Sequence, residues 1–367
     1  MVAELDPHSA YLSPEELRWF EEDVRGDYGG IGVEVVADGD EWRIAAVMSD
    51  SPAERGGLRS GRRIRRVDGL VPGKTPRARL LRSLRGPIGG KVTLVVSGPD
   101  HDEEITLERA RVVATSVVPG EPLVDAEGLA TLRIRQFQDA TLAAFLEVER
   151  ALLANPRLRG IVLDLRGNPG GLVESARAIA DRWLENGPIH TLELRGEPAR
   201  VATATPGAPL GPVPVVVLVD GATASAAELL AAALRERLAV PLLGERTFGK
   251  ATVQILELLR GGGALDVTVG EYRTACGATI QASGLFPDVA LEGANEARHV
   301  EREEDLPRVL RSGGRRPRPV VPRIDPLVSI VRPFPGSGPD AALDRARKEL
   351  LGLIVAGQTP KPRECLP

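Results

Sequence analysis

Residues Val213 to Gln254 read VPVVVLVDGATASAAELLAAALRERLAVPLLGERTFGKATVQ. Val215 to Val219 is an unbroken apolar, mostly β-branched run rather than an alternating one, which predicts a strand buried on both faces. Asp220-Gly221 breaks that strand. The alanine- and leucine-rich segment Leu229 to Leu238 predicts a helix. Ser225 then sits near the helix N-terminus, where unsatisfied N–H groups and the helix dipole favour developing negative charge. A second apolar strand, Val240 to Leu243, leads to Lys250 and Gln254.

A serine hydroxyl is a poor nucleophile until a base removes its proton. The chain has four histidines, His8, His101, His190 and His299, none beside a serine in a glycine-flanked turn. A lysine can take the proton if apolar burial lowers its pKa. Lys250, between Phe248-Gly249 and Ala251-Thr252-Val253, has such neighbours. Two plainer readings compete. A serine before a helix is most often an N-cap. Gly244 to Ala251 falls one residue short of a phosphate-binding loop, with Ala251 where a hydroxyl would hold magnesium.

The 367 residues suggest about two domains. Aromatic residues make up only 3%, so Leu, Val, Ile and Ala must fill the core. The formal net charge of -4, with both signs interspersed, argues against nucleic acid or an anionic membrane as partner. No run of 18 apolar residues predicts a transmembrane segment, and the first 30 residues lack a signal-peptide pattern. Cys276 and Cys365 offer neither metal spacing nor a disulfide framework, so each is expected to be a free thiol. No metal or other cofactor is expected.

The order VVVLVDGATASAAELLAAAL, then LLGERTFGKATVQ, resembles the carboxyl-terminal processing proteases, S41-type serine proteases that use a Ser-Lys dyad. The resemblance implies Ser225 as nucleophile, Lys250 as general base and Gln254 as the residue orienting the lysine. Ala227 stands where a second, structural serine is usual, and Glu236 is given no catalytic role. LDLRGNPGG, Leu163 to Gly171, implies a strand-to-helix turn before a helix from Leu172 to Leu184. Its Gly171 N–H, or alternatively that of Gly170, would pair with the Ala226 N–H as an oxyanion hole. The implied core is a ClpP/crotonase-like α/β fold.

Three further blocks, GGIGVEV from Gly29, SPAERGGLRSGRRIRRVDG from Ser51 and LRGPIGGKVTLVV from Leu84, resemble a PDZ domain. Such a module binds C-terminal peptides as an added strand. Gly30, Ile31, Gly32 and Val33 would bind the peptide, the last three presenting N–H groups to its carboxylate. A helix from Arg77 to Leu84 would wall the groove, and joints around 110–128 would let the module gate the site. LDPHSAYLSPEE, from Leu5, resembles the family's early motif and predicts a short helix capped by Ser13. No function beyond the resemblance is read into it, and the chain is expected to be truncated before it.

The domains expected are 1–27, an N-terminal helical segment; 28–111, PDZ; 112–295, the protease core; and 296–367, a helical extension. Within these, Ala264 to Gln281 predicts two strands, EREEDLPRVL and PDAALDRARKELLGLI resemble C-terminal helices, and 311–339 predicts an extended linker. The partners implied are proteins or peptides with free C-termini, a helical-repeat adaptor and further copies of the chain. The location implied is the periplasm or cell envelope. The alternative function is a catalytically inactive PDZ scaffold. An acyl-CoA enzyme of crotonase type also has two N–H donors, but no use for a PDZ module.

Overall fold

The computed structural model describes residues 2–38, 41–98, 101–291, 302–312, 340–358 and 365. The chain forms two compact units, one of residues 25–114 and one of residues 1–24 together with 115–367.

The larger unit is built on a six-stranded sheet. In chain order its elements are β1 (Val117–Pro119), β2 (Leu129–Ile134), α1 (Thr141–Leu153), β3 (Gly160–Asp164), α2 (Val173–Ala180), β4 (Val215–Val219), α3 (Ala226–Leu238), β5 (Leu242–Gly244), β6 (Val289–Ala290) and α4 (Ala341–Val355). The sheet order is β6-β5-β4-β3-β2-β1, with every pairing parallel except β2 with β1. The unbroken apolar run of β4 follows from its surroundings. Val215, Val217 and Val219 join the cluster that contains α3, whereas Val216 and Leu218 face Ala346 and Leu350 of α4. Full burial of each such side chain contributes about 1.5–3 kcal/mol.

A second, antiparallel sheet is organised by the strand Ala264–Thr274, which pairs with Ala10–Leu12, Thr252–Leu258 and Pro188–Leu194. The early motif therefore packs with this unit. Its helix, Pro14–Arg25, opens with a capping box in which Ser13 N–H meets Glu16 Oε2 at 3.0 Å and Glu16 N–H meets Ser13 Oγ at 3.2 Å.

The smaller unit holds a five-stranded antiparallel sheet, Val33–Asp38, Glu41–Val47, Arg63–Val67, Lys91–Ser97 and Asp102–Glu108, neighbours in that order. Asp27–Gly30 pairs separately with Ala110–Val113. The helix Arg77–Leu84 sends Leu80 and Leu84 into the same apolar cluster as Ile31, Trp42 and Ile44.

Four expectations need correction. The helix after LDLRGNPGG ends at Ala180, because tight turns from Asp181 to Trp183 carry the Trp183 ring into the core beside Phe145. Ala264 to Gln281 is one long strand closed by a turn at Thr274–Gly277, not two strands. The described residues of EREEDLPRVL, 302–310, form a single 3-10 turn, Glu303–Asp305, rather than a helix, whereas the second expected helix is present as α4. Residues 313–339 of the expected linker lie outside the described residues.

The fourth correction concerns the thiols. Cys276 and Cys365 form a disulfide across 89 residues. Such a spacing has no sequence signature; the pair meets because the turn after the long strand lies beside Cys365, Cα to Cα 5.1 Å. Closing a loop of this size stabilises by about 2–4 kcal/mol. Denaturant unfolding with and without reductant should show that loss, and Cys276→Ser should reproduce it. Unchanged midpoints would mean that the bond contributes nothing to the cooperative fold.

Candidate active site

The turn after β4 is tied to the turn after β3. Asp220 Oδ1 accepts from the N–H groups of Gly167 (2.9 Å) and Ala222 (3.0 Å), and the buried Thr223 hydroxyl donates to Leu165 O at 3.0 Å. Ala224 N–H donates to Asn168 O at 2.9 Å. These bonds hold Ser225 at φ 55, ψ −121, outside the extended range of ordinary N-caps. That conformation costs about 1–3 kcal/mol and persists only because its surroundings over-determine it. Ser225 is half-buried at the head of α3.

In the LDLRGNPGG loop, the buried Asn168 side chain donates to Ile134 O and accepts from Gly170 N–H, both at 2.9 Å. The Gly170 N–H is thereby spent, and Gly171 is the glycine that lines the adjoining cavity. Both positions require glycine. At Gly170 (φ 100) an added Cβ would lie 2.8 Å from Ser225 Cβ, and at Gly171 (φ 121) it would lie 2.1 Å from Phe137 O. Ala226 begins α3, so its N–H has no intrahelical acceptor. Ala227 is fully buried in the apolar cluster, where no hydroxyl is needed.

The lysine loop is held from within by Glu228, the first glutamate of α3. Its fully buried carboxylate accepts from the N–H groups of Ser225 (2.8 Å), Gly249 (2.9 Å) and Lys250 (3.0 Å) and from the Thr247 hydroxyl. One carboxylate thus joins the Ser225 turn to the Lys250 loop. Burial pushes it up to about 7 against the pull of those four donors. The N–H groups of Gly249 and Lys250 that a phosphate-binding loop would offer are taken. Glu228 was not read from the sequence, although Ser225-x-x-Glu228 carries the capping-box spacing.

Lys250 Nζ donates to Gln254 Oε1 at 2.6 Å and to Thr252 O at 3.4 Å. Burial lowers its pKa, opposed by the negative charges of Glu303, Asp266, Glu228 and Asp6. Ser225, Lys250, Gln254 and Gly171 line one cavity of about 660 Å³, with Phe137, Leu172, Val173, Val253, Leu256 and Tyr272 giving it apolar walls. Among the described residues, no histidine lines this cavity. His190 packs edge-on to Tyr272 at 5.2 Å and burial pushes it down to about 4, His8 meets Glu303 at 2.7 Å, and His299 lies outside the described residues. Glu236 stands elsewhere, accepting from Thr274 Oγ1 (2.9 Å) and Cys276 N–H (2.8 Å). Among the described residues there is no cluster that could hold a metal ion.

In the smaller unit, Gly30 closes the strand Asp27–Gly30, and Ile31 and Gly32 join it to Val33–Asp38. Gly32 has φ 76, and a Cβ there would lie 2.3 Å from Ser51 Cβ.

Residues 128–291 match peptidase family S41. Over 305 residues the chain is 32% identical to a carboxy-terminal-processing protease of Bartonella bacilliformis, covering 80% of this chain and 68% of that protein. Over 289 residues it is 31% identical to the carboxy-terminal processing protease CtpA of Bacillus subtilis, covering 78% and 61%. Among solved structures it is similar to a photosystem II D1 C-terminal processing protease, with 28% identity, a TM-score of 0.51 and 78% of each chain covered.

Proposed function

The chain belongs to peptidase family S41, the carboxy-terminal processing serine proteases, and on that footing we propose that it cleaves proteins by a Ser225–Lys250 dyad after engaging their C-termini with the 25–114 unit. The observation that carries this reading is the opening of Ser225 and Lys250 on one cavity, with the lysine amine held 2.6 Å from Gln254 Oε1. Neutral Lys250 takes the Ser225 proton as Oγ attacks the substrate carbonyl. The N–H groups of Gly171 and Ala226 receive the developing oxyanion, where losing one donor typically costs about 2.7–4 kcal/mol. The lysine ammonium then protonates the departing amine, leaving an acyl-enzyme. In the second half, neutral Lys250 activates a water that releases the acid. Glycine at 170 supports this by allowing the loop to approach Ser225 closely.

Substrate C-termini are proposed to add as a strand beside Val33–Asp38, with the N–H groups of Ile31, Gly32 and Val33 at the carboxylate. The Cys276–Cys365 disulfide supports an oxidising compartment, in keeping with the cell envelope. No helix among the described residues is long and apolar enough to cross a membrane.

Mass spectrometry of an unfolded protein with a small apolar C-terminus tests the proposal. The full chain should cleave it, Ser225→Ala should not, and amidation of the C-terminus should slow cleavage. Cleavage retained by Ser225→Ala would overturn the assignment of the nucleophile.

A further inference from the structure

The LDPHS segment, given no role on its sequence, reaches the catalytic lysine. Lys250 Nζ donates to Gln254 Oε1 (2.6 Å), Gln254 Nε2 to Thr268 Oγ1 (3.0 Å), and Thr268 Oγ1 to Asp6 Oδ1 (3.0 Å). The antiparallel sheet sets this chain up. Gln254 lies opposite Thr268 immediately after a bulge at Val253, and Ala10 lies opposite Asp266 on the same long strand. Ser9 Oγ accepts the Thr268 N–H at 3.1 Å and donates to Asp6 Oδ2 at 2.5 Å.

We propose that Asp6 and Thr268 are positioning residues for the general base, the Asp6 carboxylate dictating the polarity of the chain so that Gln254 presents its amide oxygen, never its NH2, to Lys250. The inference rests on the reading of Lys250 as the base. A carboxylate only accepts hydrogen bonds. Asp6 is 4% exposed. Burial works against its charge, but the bonds from Ser9, His8 N–H and Thr268 outweigh it and keep the group below the usual carboxylate range. The Thr268 hydroxyl therefore spends its one proton on Asp6 and offers Gln254 only lone pairs. Gln254 must answer with its NH2, which leaves Oε1 for the lysine. An amide oxygen accepts from the amine in either protonation state and leaves the neutral lone pair free for the serine proton. A flipped amide would aim an N–H at that lone pair and occupy the orbital that does the chemistry.

The test compares the full chain with Asp6→Asn, Thr268→Val, Thr268→Ser and Lys250→Ala, measuring kcat and KM for the unfolded substrate across pH, with thermal melting as a control. Asp6→Asn and Thr268→Val should lower kcat about 10- to 100-fold, the scale of a misoriented supporting shell, with KM within about twofold. Thr268→Ser, which keeps the hydroxyl, should restore the rate. Asp6→Asn should also move the acid limb of kcat/KM to lower pH, since it removes one of the four acidic groups, Glu303, Asp266, Glu228 and Asp6, that face Lys250 and favour its charged form. An unchanged kcat, or a fall in kcat that follows melting with an unmoved limb and no rescue by serine, would overturn the inference and leave the segment a structural tie. If Thr268→Val does not fold, Asp6→Asn and Thr268→Ser decide alone. Cleavage retained by Lys250→Ala would instead remove the general-base reading on which the inference stands.

Discussion

Lys250→Ala should lower kcat by about 10⁴-fold or more, because a nucleophile and its base act as one unit and removing either forfeits most of their joint effect. Lys250→Arg should be as inactive, since a guanidinium keeps its proton at any working pH. In the wild type, kcat/KM should rise with pH through a lysine pKa lowered by burial: below that value the amine is charged and cannot accept the serine proton, and above it the base is ready. Stability carries the same sign. Between the folded-state pKa and the ordinary lysine value the unfolded chain binds more protons, so raising the pH favours the folded state. Lys250→Met, which removes a buried amine, should therefore melt no lower at neutral pH while remaining inactive. Wild-type-like turnover by Lys250→Arg would be incompatible with a lysine base.

The second large effect is expected at Glu228. Glu228→Gln puts an NH2 where two N–H groups now point at one oxygen, those of Ser225 and Lys250, or where Gly249 N–H and the Thr247 hydroxyl converge on the other. At least one backbone donor must face another donor in a fully buried site. Breaking a buried charged network costs about 3–5 kcal/mol. The melting temperature should fall by about 10 °C, and kcat with it, because the nucleophile turn and the base loop lose their common anchor. The pH dependence is specific to this group. Its folded-state value, about 7, lies above that of an exposed glutamate, so its contribution is fully present below about pH 4.3 and declines as pH rises through 7. The stability gap between wild type and Glu228→Gln should narrow across that window. A gap that widens instead would show that the donors, not burial, dominate this carboxylate.

Local sequence already carried the parts of the site whose residue types admit few alternatives. The run Val215–Val219 could only be a doubly buried strand, since five consecutive apolar residues leave no solvent-facing side; α4 is what covers its second face. The placement of Ser225 before an alanine-rich helix was likewise readable from its neighbours, whereas a role for Gly170 or Gly171 was implied only by the resemblance. Lys250 has uncharged neighbours, a local property, but it was the resemblance that singled it out.

What the sequence alone determined, then, was the doubly buried strand Val215–Val219, the helix that follows Ser225 and the uncharged setting of Lys250, because each depends on neighbours within a few residues. Tertiary structure decided the rest. Cys276 and Cys365 are 89 residues apart, Thr268 and Asp6 are 262 apart, and Glu228 meets Gly249 across 21. Hydrogen bonds and disulfides depend on where atoms stand to within a fraction of an ångström. That proximity arises only when the strand Ala264–Thr274 has gathered the N-terminal segment on one edge and the strand Thr252–Leu258, which carries Gln254, on the other.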